Sequence, residues 1–492
     1  MAEAKGEPPA AQARRDPLRL GLLGGAILCL LVVGLAHPSV AAPPLGDAGW
    51  VPHLPDVPLR GWGIIAVQVL GYVLGAAALI LALRRPSRLG ITWPAWLLVG
   101  GLVLLTVPFG TADHTNYAAY GHILAQGGDP WLTSPQAFGN DAVTALVQPP
   151  WQDTPNVYGP VATVLLGAAA HLGGESVRQI VWLWQVVVVA SWLAIRWLLV
   201  RLTGRVEAVD TWWTGNILVL GAGVFGAHVD LLATVGVVAA LVVAVRVPGV
   251  LGAGLAGALA GLAASTKVTA GVIALALVLA WVTASGRLRL DRSAVTRTAA
   301  LGLGGLATFV PLHLWAGPHV FDQVIRQSGG VSYASPWRAV YTVLDLVVAE
   351  PTARSIASRL SAVVCVVLAV VLWRRLRDRA EPVVTVLLAL TAAYAIGAAY
   401  VLPWYALMMW AAAAAWVGLG GADPRLLTAL VLQGTVVALG YVPGRIVIPE
   451  TMETVTLAWR MVAVPLATFA LWVWLLRSGA TRRRERPAPA RG

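Results

Sequence analysis

The sequence predicts an all-α, polytopic integral membrane protein with about 14 transmembrane helices, and three observations predict it. Of 492 residues, 58% are hydrophobic and only 12% are charged, with mean hydropathy +0.75. A soluble domain is roughly a quarter charged, so this chain cannot cover a water-facing surface. Apolar runs of spanning length recur from Leu20 to Leu476, without the alternation of a β-barrel. The basic residues collect in short clusters between those runs, as orientation signals do.

Taken in order, the candidate spans are 20–41, 61–83, 92–110, 178–200, 211–227, 229–246, 249–266, 268–286, 298–316, 356–373, 383–402, 404–420, 426–442 and 457–476. Positive-inside bias tests them. The segment 1–19 carries Lys5, Arg14, Arg15 and Arg19 and is taken as cytosolic. Then Arg84, Arg85 and Arg88, next Arg201 and Arg205, then Arg246 all fall on its side, followed by Arg287, Arg289, Arg292 and Arg297. So do Arg374, Arg375, Arg377 and Arg379, and Arg482, Arg483 and Arg484. The agreement requires that the apolar run 161–172 not cross, and its shortness fits a helix lying on or dipping into the outer face.

The first apolar run is longer than the h-region of a signal peptide, so an uncleaved anchor is expected despite the small residues Ser39-Val40-Ala41-Ala42. Residues 20–476 form the membrane domain, with large outer loops at 111–177 and 317–355. The Arg-, Pro- and Ala-rich 477–492 reads as a disordered basic cytosolic tail that can touch anionic lipid. The location expected is the plasma membrane, with both termini cytoplasmic.

The net charge of +12 does not indicate nucleic acid, because the arginines are spread between spans and Lys5 and Lys267 are the only lysines. Cys29 and Cys365 both sit in apolar stretches and imply neither a disulfide nor a metal site.

Polar residues with chemistry collect where spans meet the outer loops. Asp113 follows the span 92–110 by three residues, so the membrane surface fixes its depth, and partial desolvation would make it more basic. Its other reading is a solvated loop residue or a helix N-cap. Asp129, in Gly-Gly-Asp-Pro-Trp, reads as a turn former. His228 and Asp230 stand at the junction of two spans, where a His-x-Asp pair can position hydroxyls, share a metal, or cap a helix; no third ligand stands out. Lys267 lies between apolar runs in a chain that otherwise uses arginine, which points to a compact charge for a phosphate, against simple snorkelling to the interface. Pro403-Trp404-Tyr405 follows Tyr400 at a further junction and reads either as belt aromatics or as a stacking platform for a sugar or prenyl chain. Arg338 in the second loop and Arg445 near Pro443 are outward cations. No residue between Arg88 and Arg178 is basic, so an acidic loop suited to an acceptor alcohol faces a basic loop suited to a phosphate.

Together these features resemble the GT-C superfamily of membrane glycosyltransferases, and within it the actinobacterial polyprenyl-phospho-mannose-dependent α-mannosyltransferases of lipomannan-type glycolipids. The resemblance is carried, over roughly residues 95–405, by Asp113–Gly121, Gly127-Gly128-Asp129-Pro130-Trp131, Tyr158-Gly159-Pro160, Gly226-Ala227-His228-Val229-Asp230, Lys267, Tyr400 and Pro403-Trp404-Tyr405. Val229 stands where the family has asparagine, and Val268 where a proline often follows the lysine. The resemblance implies Asp113 as general base, juxtamembrane helices in the first outer loop, and transfer of a mannosyl unit from a polyprenyl-phosphate sugar to a glycolipid or glycan acceptor of the cell envelope. The expected reaction inverts the anomeric carbon on the outer face. His114, Tyr117, Tyr158, His228, Asp230, Trp404 and Tyr405 would hold sugars, and Lys267, Arg338 and Arg445 the phosphate. No cofactor is required; a divalent metal is admissible but not needed. The rivals are a transporter or flippase, which predicts midplane charges and internal repeats, a GT-C member using another sugar, and a noncatalytic envelope scaffold.

Overall fold

The structure is a computed structural model and describes residues 15–85, 87–139, 141–283, 290–377 and 379–484, the side chains of 478–484 excepted. Lys5, Arg14, Arg287 and Arg289 lie outside the described residues, as do the tail residues 485–492 and the side chains of Arg482, Arg483 and Arg484.

The described chain is helical, and no β-strand occurs among the described residues. The main helices are α1 (Pro17–Gly34), α2 (Trp62–Arg84), α3 (Trp93–Val103), α4 (Asp113–Ala125), α5 (Pro160–Gly173) and α6 (Val177–Thr203). They continue with α7 (Asp230–Arg246), α8 (Gly249–Ala264), α9 (Val272–Thr283), α10 (Arg292–Ala316) and α11 (Trp337–Asp345). The last five are α12 (Glu350–Leu376), α13 (Pro382–Gly397), α14 (Leu407–Gly418), α15 (Pro424–Leu439) and α16 (Glu450–Arg484). Six of them, α1, α2, α6, α10, α12 and α16, are long and apolar enough to cross a bilayer.

Helix ends follow local chemistry. Ser176 caps α6 by accepting from the Gln179 N–H, and the helix stops at Gly204, whose φ of 68° is a left-handed closure. Asp291 caps α10 and Asp423 caps α15 in the same way.

Two expected spans depart from regular helix. The window 92–110 is helical only over Trp93–Val103, and the chain then runs through a turn and irregular backbone to Asp113. The window 211–227 is broken into two short wide turns, Asp210–Thr214 and Leu220–Phe225, around a single α-helical turn, Ile217–Val219, all buried. Irregular backbone at membrane depth is tolerated where protein surrounds it, and here α2, α6 and α14 pack against it. Gly75 and Gly221 permit the close approach: a Cβ on the first would lie 2.3 Å from Ile217 and one on the second 2.6 Å from the Tyr72 hydroxyl.

Helices α8 and α10 pack through glycine. A Cβ on Gly257 would stand 2.0 Å from the Leu301 carbonyl oxygen, and one on Gly304 2.0 Å from that of Gly254. Without a hydrophobic drive between helices in lipid, such backbone contact is what holds them.

Four of the described arginine clusters, at 15–19, 84–88, 201–205 and 246, meet in two linked groups at one end of the bundle. Arg15 and Arg19 donate to the carbonyls of Gly90 and Ser87, Glu207 accepts from the N–H groups of Leu89 and Gly90, and Arg246 donates to the carbonyls of Arg201 and Leu202. Helix α7 carries the chain from Arg246 to Asp230, 17 residues, or about 25 Å at 1.5 Å per residue. The polar junctions therefore lie at the opposite end.

Candidate functional site

Asp113 is placed by backbone hydrogen bonds from the irregular run before it. Val107 donates to Gly34, Phe109 to Phe225, Gly110 to Ala41 and Ala112 to Arg445, and Arg445 donates back to Gly110. The turn is thus laced to four separate parts of the chain, and α4 starts on the aspartate itself. Asp113, Asn116 and Tyr120, at i, i+3 and i+7, share one face of α4. That face lines a cavity of about 510 Å³. Burial raises the Asp113 carboxyl above the usual carboxylate range, and Arg445, the Thr111 hydroxyl and Lys267 pull it back part of the way.

Directly behind Asp113 packs the loop before α7. Ala227 holds φ 52°, a strained conformation for a residue with a Cβ. It is fixed by Trp184, whose Nε1 donates to the Ala227 carbonyl at 2.8 Å. The turn delivers His228, with Nδ1 3.6 Å from Asp113 Oδ2 and 3.4 Å from the Tyr117 hydroxyl. The Trp404 ring stacks on His228 at 3.7 Å and 16°. Two residues on, Asp230 accepts from Lys267 Nζ at 2.7 Å, and that ammonium stands 4.2 Å over the Tyr405 ring.

The loop Tyr158-Gly159-Pro160 docks beside Lys267. Gly159 N–H donates to Thr266 and Val161 N–H to Ser265. Only a glycine fits, because a Cβ on Gly159 would meet the Ser265 carbonyl oxygen at 2.2 Å.

The cavity therefore gathers Asp113, Tyr158, Lys267, Trp404, Tyr405 and Arg445. His228, Asp230 and Tyr117 stand behind its wall and touch residues that line it. His114 is wholly buried, with neither ring nitrogen partnered in the protein; burial and then Arg178 lower it to about 3, so the ring is neutral. Arg338 lines a neighbouring hollow with Trp151, Arg354 and Arg445, because α11 lies over that side and stacks the guanidinium between Tyr333 and Tyr341, 4.4 and 4.9 Å away. Asp129 Oδ1 accepts from the N–H groups of Trp131 and Leu132, the turn its sequence predicts.

Sequence reasoning passed over Asn116, Tyr120, Trp151, Tyr394 and the α12 face Ser358, Ser361, Ala362 and Cys365, all of which line the cavity. Asn116 and Tyr120 were within reach, since their spacing from Asp113 puts them on its face. Asn116 Oδ1 has no partner in the protein. Among the described residues no three His, Cys, Asp or Glu side chains cluster as metal ligands would.

A helical membrane protein whose bundle ends in a cavity with a buried carboxylate, paired cations and aromatic walls has the parts of a group-transfer enzyme. The chain belongs to the alpha-(1->6)-mannopyranosyltransferase family, whose N-terminal domain model matches residues 18–283, more than half of the sequence. It is accordingly a membrane mannosyltransferase. Comparison with curated proteins and with solved structures returned no match. Asp113, Tyr158, His228, Asp230 and Lys267 lie within the family match, whereas Trp404, Tyr405, Arg338 and Arg445 lie beyond it.

Proposed function

We propose that the protein transfers a mannosyl unit from a polyprenyl-phosphate donor to a glycan or glycolipid acceptor, with inversion, at the extracytoplasmic face of the plasma membrane. The observation that carries this reading is the shared cavity of Asp113, Lys267 and Arg445, which the carboxylate and both cations line together. The arginine end of the bundle is the cytosolic one by positive-inside bias, which turns the cavity outward.

Asp113 takes the proton of an acceptor hydroxyl as that oxygen attacks the anomeric carbon. The bond from that carbon to the phosphate oxygen breaks, and its electron pair leaves with the phosphate. Arg445 and Lys267 stabilise the developing charge, Asn116 and Tyr158 bond hydroxyls, and Trp404 offers a flat face. The apolar part of the cavity, including Val268, Val324, Ala362 and Cys365, suits the prenyl chain. A transporter is disfavoured because the cavity's charges gather at one end.

The test is reconstitution into vesicles with radiolabelled polyprenyl-phosphate sugars offered one at a time. Transfer from the mannosyl donor, slowed by about 10²- to 10⁴-fold in Asp113→Asn, is the expected result. Transfer only from another sugar, or full activity of Asp113→Asn, overturns the reading.

A further inference from the structure

We propose that the hollow beside the catalytic cavity is the subsite for the sugar chain of the acceptor, which it takes as an α-linked manno-oligosaccharide; this rests on the mannosyl-transfer reading above. The hollow measures about 280 Å³ and is bounded by Trp151, Gln327, Arg338, Tyr341, Arg354 and Tyr400, with Arg445 at its inner edge. Trp151, Gln327, Tyr400 and Arg445 line the catalytic cavity as well, so the two spaces adjoin through one wall, and Asp113 opens only into the first.

Two substrates must converge on Asp113 and leave by different routes. The catalytic cavity has an apolar part, lined by Ala362 and Cys365 of α12 together with Val268 and Val324. A hydrocarbon chain belongs there, and the water-soluble body of the acceptor needs the polar route.

The second hollow supplies that route with groups suited to hydroxyls. Arg445 rests on the Trp151 ring at 5.0 Å and Arg338 on Tyr333 and Tyr341. A guanidinium whose face lies on an aromatic ring keeps its in-plane N–H edge free for hydrogen bonds. Arg338 and Arg445 make no ion pair with a carboxylate among the described residues, while Arg354 is paired with Glu350. Gln327 adds an amide, and the rings of Tyr341 and Tyr400 add faces for the C–H side of a pyranose. Most of these residues lie after position 283, beyond the family match, where a feature that sets acceptor choice can vary without disturbing Asp113.

The test uses the full chain in vesicles with polyprenyl-phosphate mannose and α-(1→6)-mannotriose as the probe acceptor. Arg338→Gln should raise the acceptor KM by about tenfold, the loss of one hydrogen bond from a charged donor, with donor KM and kcat unchanged. Arg338→Lys keeps the charge without the planar fork and should still raise the acceptor KM. Mannotriose binding without donor, read by tryptophan fluorescence, should occur in wild type and Asp113→Asn and weaken in Arg338→Gln. A rise in donor KM alone, full rescue by Arg338→Lys, or no change in either KM overturns the proposal; the first two assign the hollow to a phosphate. If the wild type transfers no mannose, the transferase reading fails, and the fluorescence titration still decides whether the hollow holds a sugar chain.

Discussion

Lys267 Nζ lies 2.7 Å from Asp230 Oδ1, the carboxylate buried and the lysine side chain 13% exposed. The only lysine among the described residues is therefore half of a neutral pair, and removing it strands a buried carboxylate. Lys267→Met should destabilise the protein by about 3 kcal/mol, as breaking one side of a buried pair does. Lys267→Met combined with Asp230→Asn should recover thermal stability but not transfer. Wild-type transfer by the double variant would show that the ammonium has no part in the reaction.

Asp113 links pH to rate and stability with opposite signs. Its folded value is raised, chiefly by burial, and a general base works only when ionised. Thus kcat/KM should climb with pH and level off above a midpoint higher than an ordinary carboxylate's. The ionised form is the less favoured one in the fold, so its cost to stability appears as pH rises from the unfolded value through the folded one. Asp113→Asn should lose about 10²- to 10⁴-fold in kcat yet melt no lower than wild type at neutral pH. The gap in melting temperature should close on acidification below the unfolded value. A variant that melts lower at neutral pH would give the carboxylate a structural duty instead.

Much of this was legible in the sequence because bilayer chemistry writes it there. Apolar runs placed most of the helices, and the spacing of polar residues at their ends marked Asp113, His228 and Lys267 as neighbours of helix junctions. Hydropathy could not show that 211–227 is broken into short buried turns, because a run surrounded by protein and a run surrounded by lipid are equally apolar. Nor could it pair Lys267 with Asp230, 37 positions apart, or set Arg338 in a separate hollow. Both depend on which loops meet at the bundle's end. Tyr158-Gly159-Pro160 was noticed as a pattern, but the reason for its glycine is contact with Ser265, which only packing reveals.

That contact gives a sharp steric prediction. Gly159 has an ordinary φ of −76°, so alanine is opposed only by space, with its Cβ 2.2 Å from the Ser265 oxygen. Gly159→Ala should cost roughly 1–3 kcal/mol as overpacking does, and it should push the loop bearing Tyr158 away from Lys267. Donor KM should rise more than thermal stability falls. An unchanged donor KM would detach this loop from the donor's binding.

A second buried ion pair separates structural charge from functional charge. Arg196 Nε and Nη2 bond Asp210 Oδ1 and Oδ2 at 2.7 and 3.0 Å, and the guanidinium stands 4.8 Å over the Trp93 ring. Neither residue lines the cavity; the pair ties α6 to the irregular turns that replace a span. Such a pair is expensive to break and cheap to replace as a unit, because the desolvation of both charges offsets most of their attraction. Asp210→Leu alone should lower the yield of folded protein and destabilise it by about 3–5 kcal/mol, leaving Arg196 buried without a counter-charge. Arg196→Met with Asp210→Leu should recover most of that stability together with near wild-type transfer. Melting curves and transfer rates of the two variants check it: a stable double variant that is inactive would show that these charges reach the reaction after all.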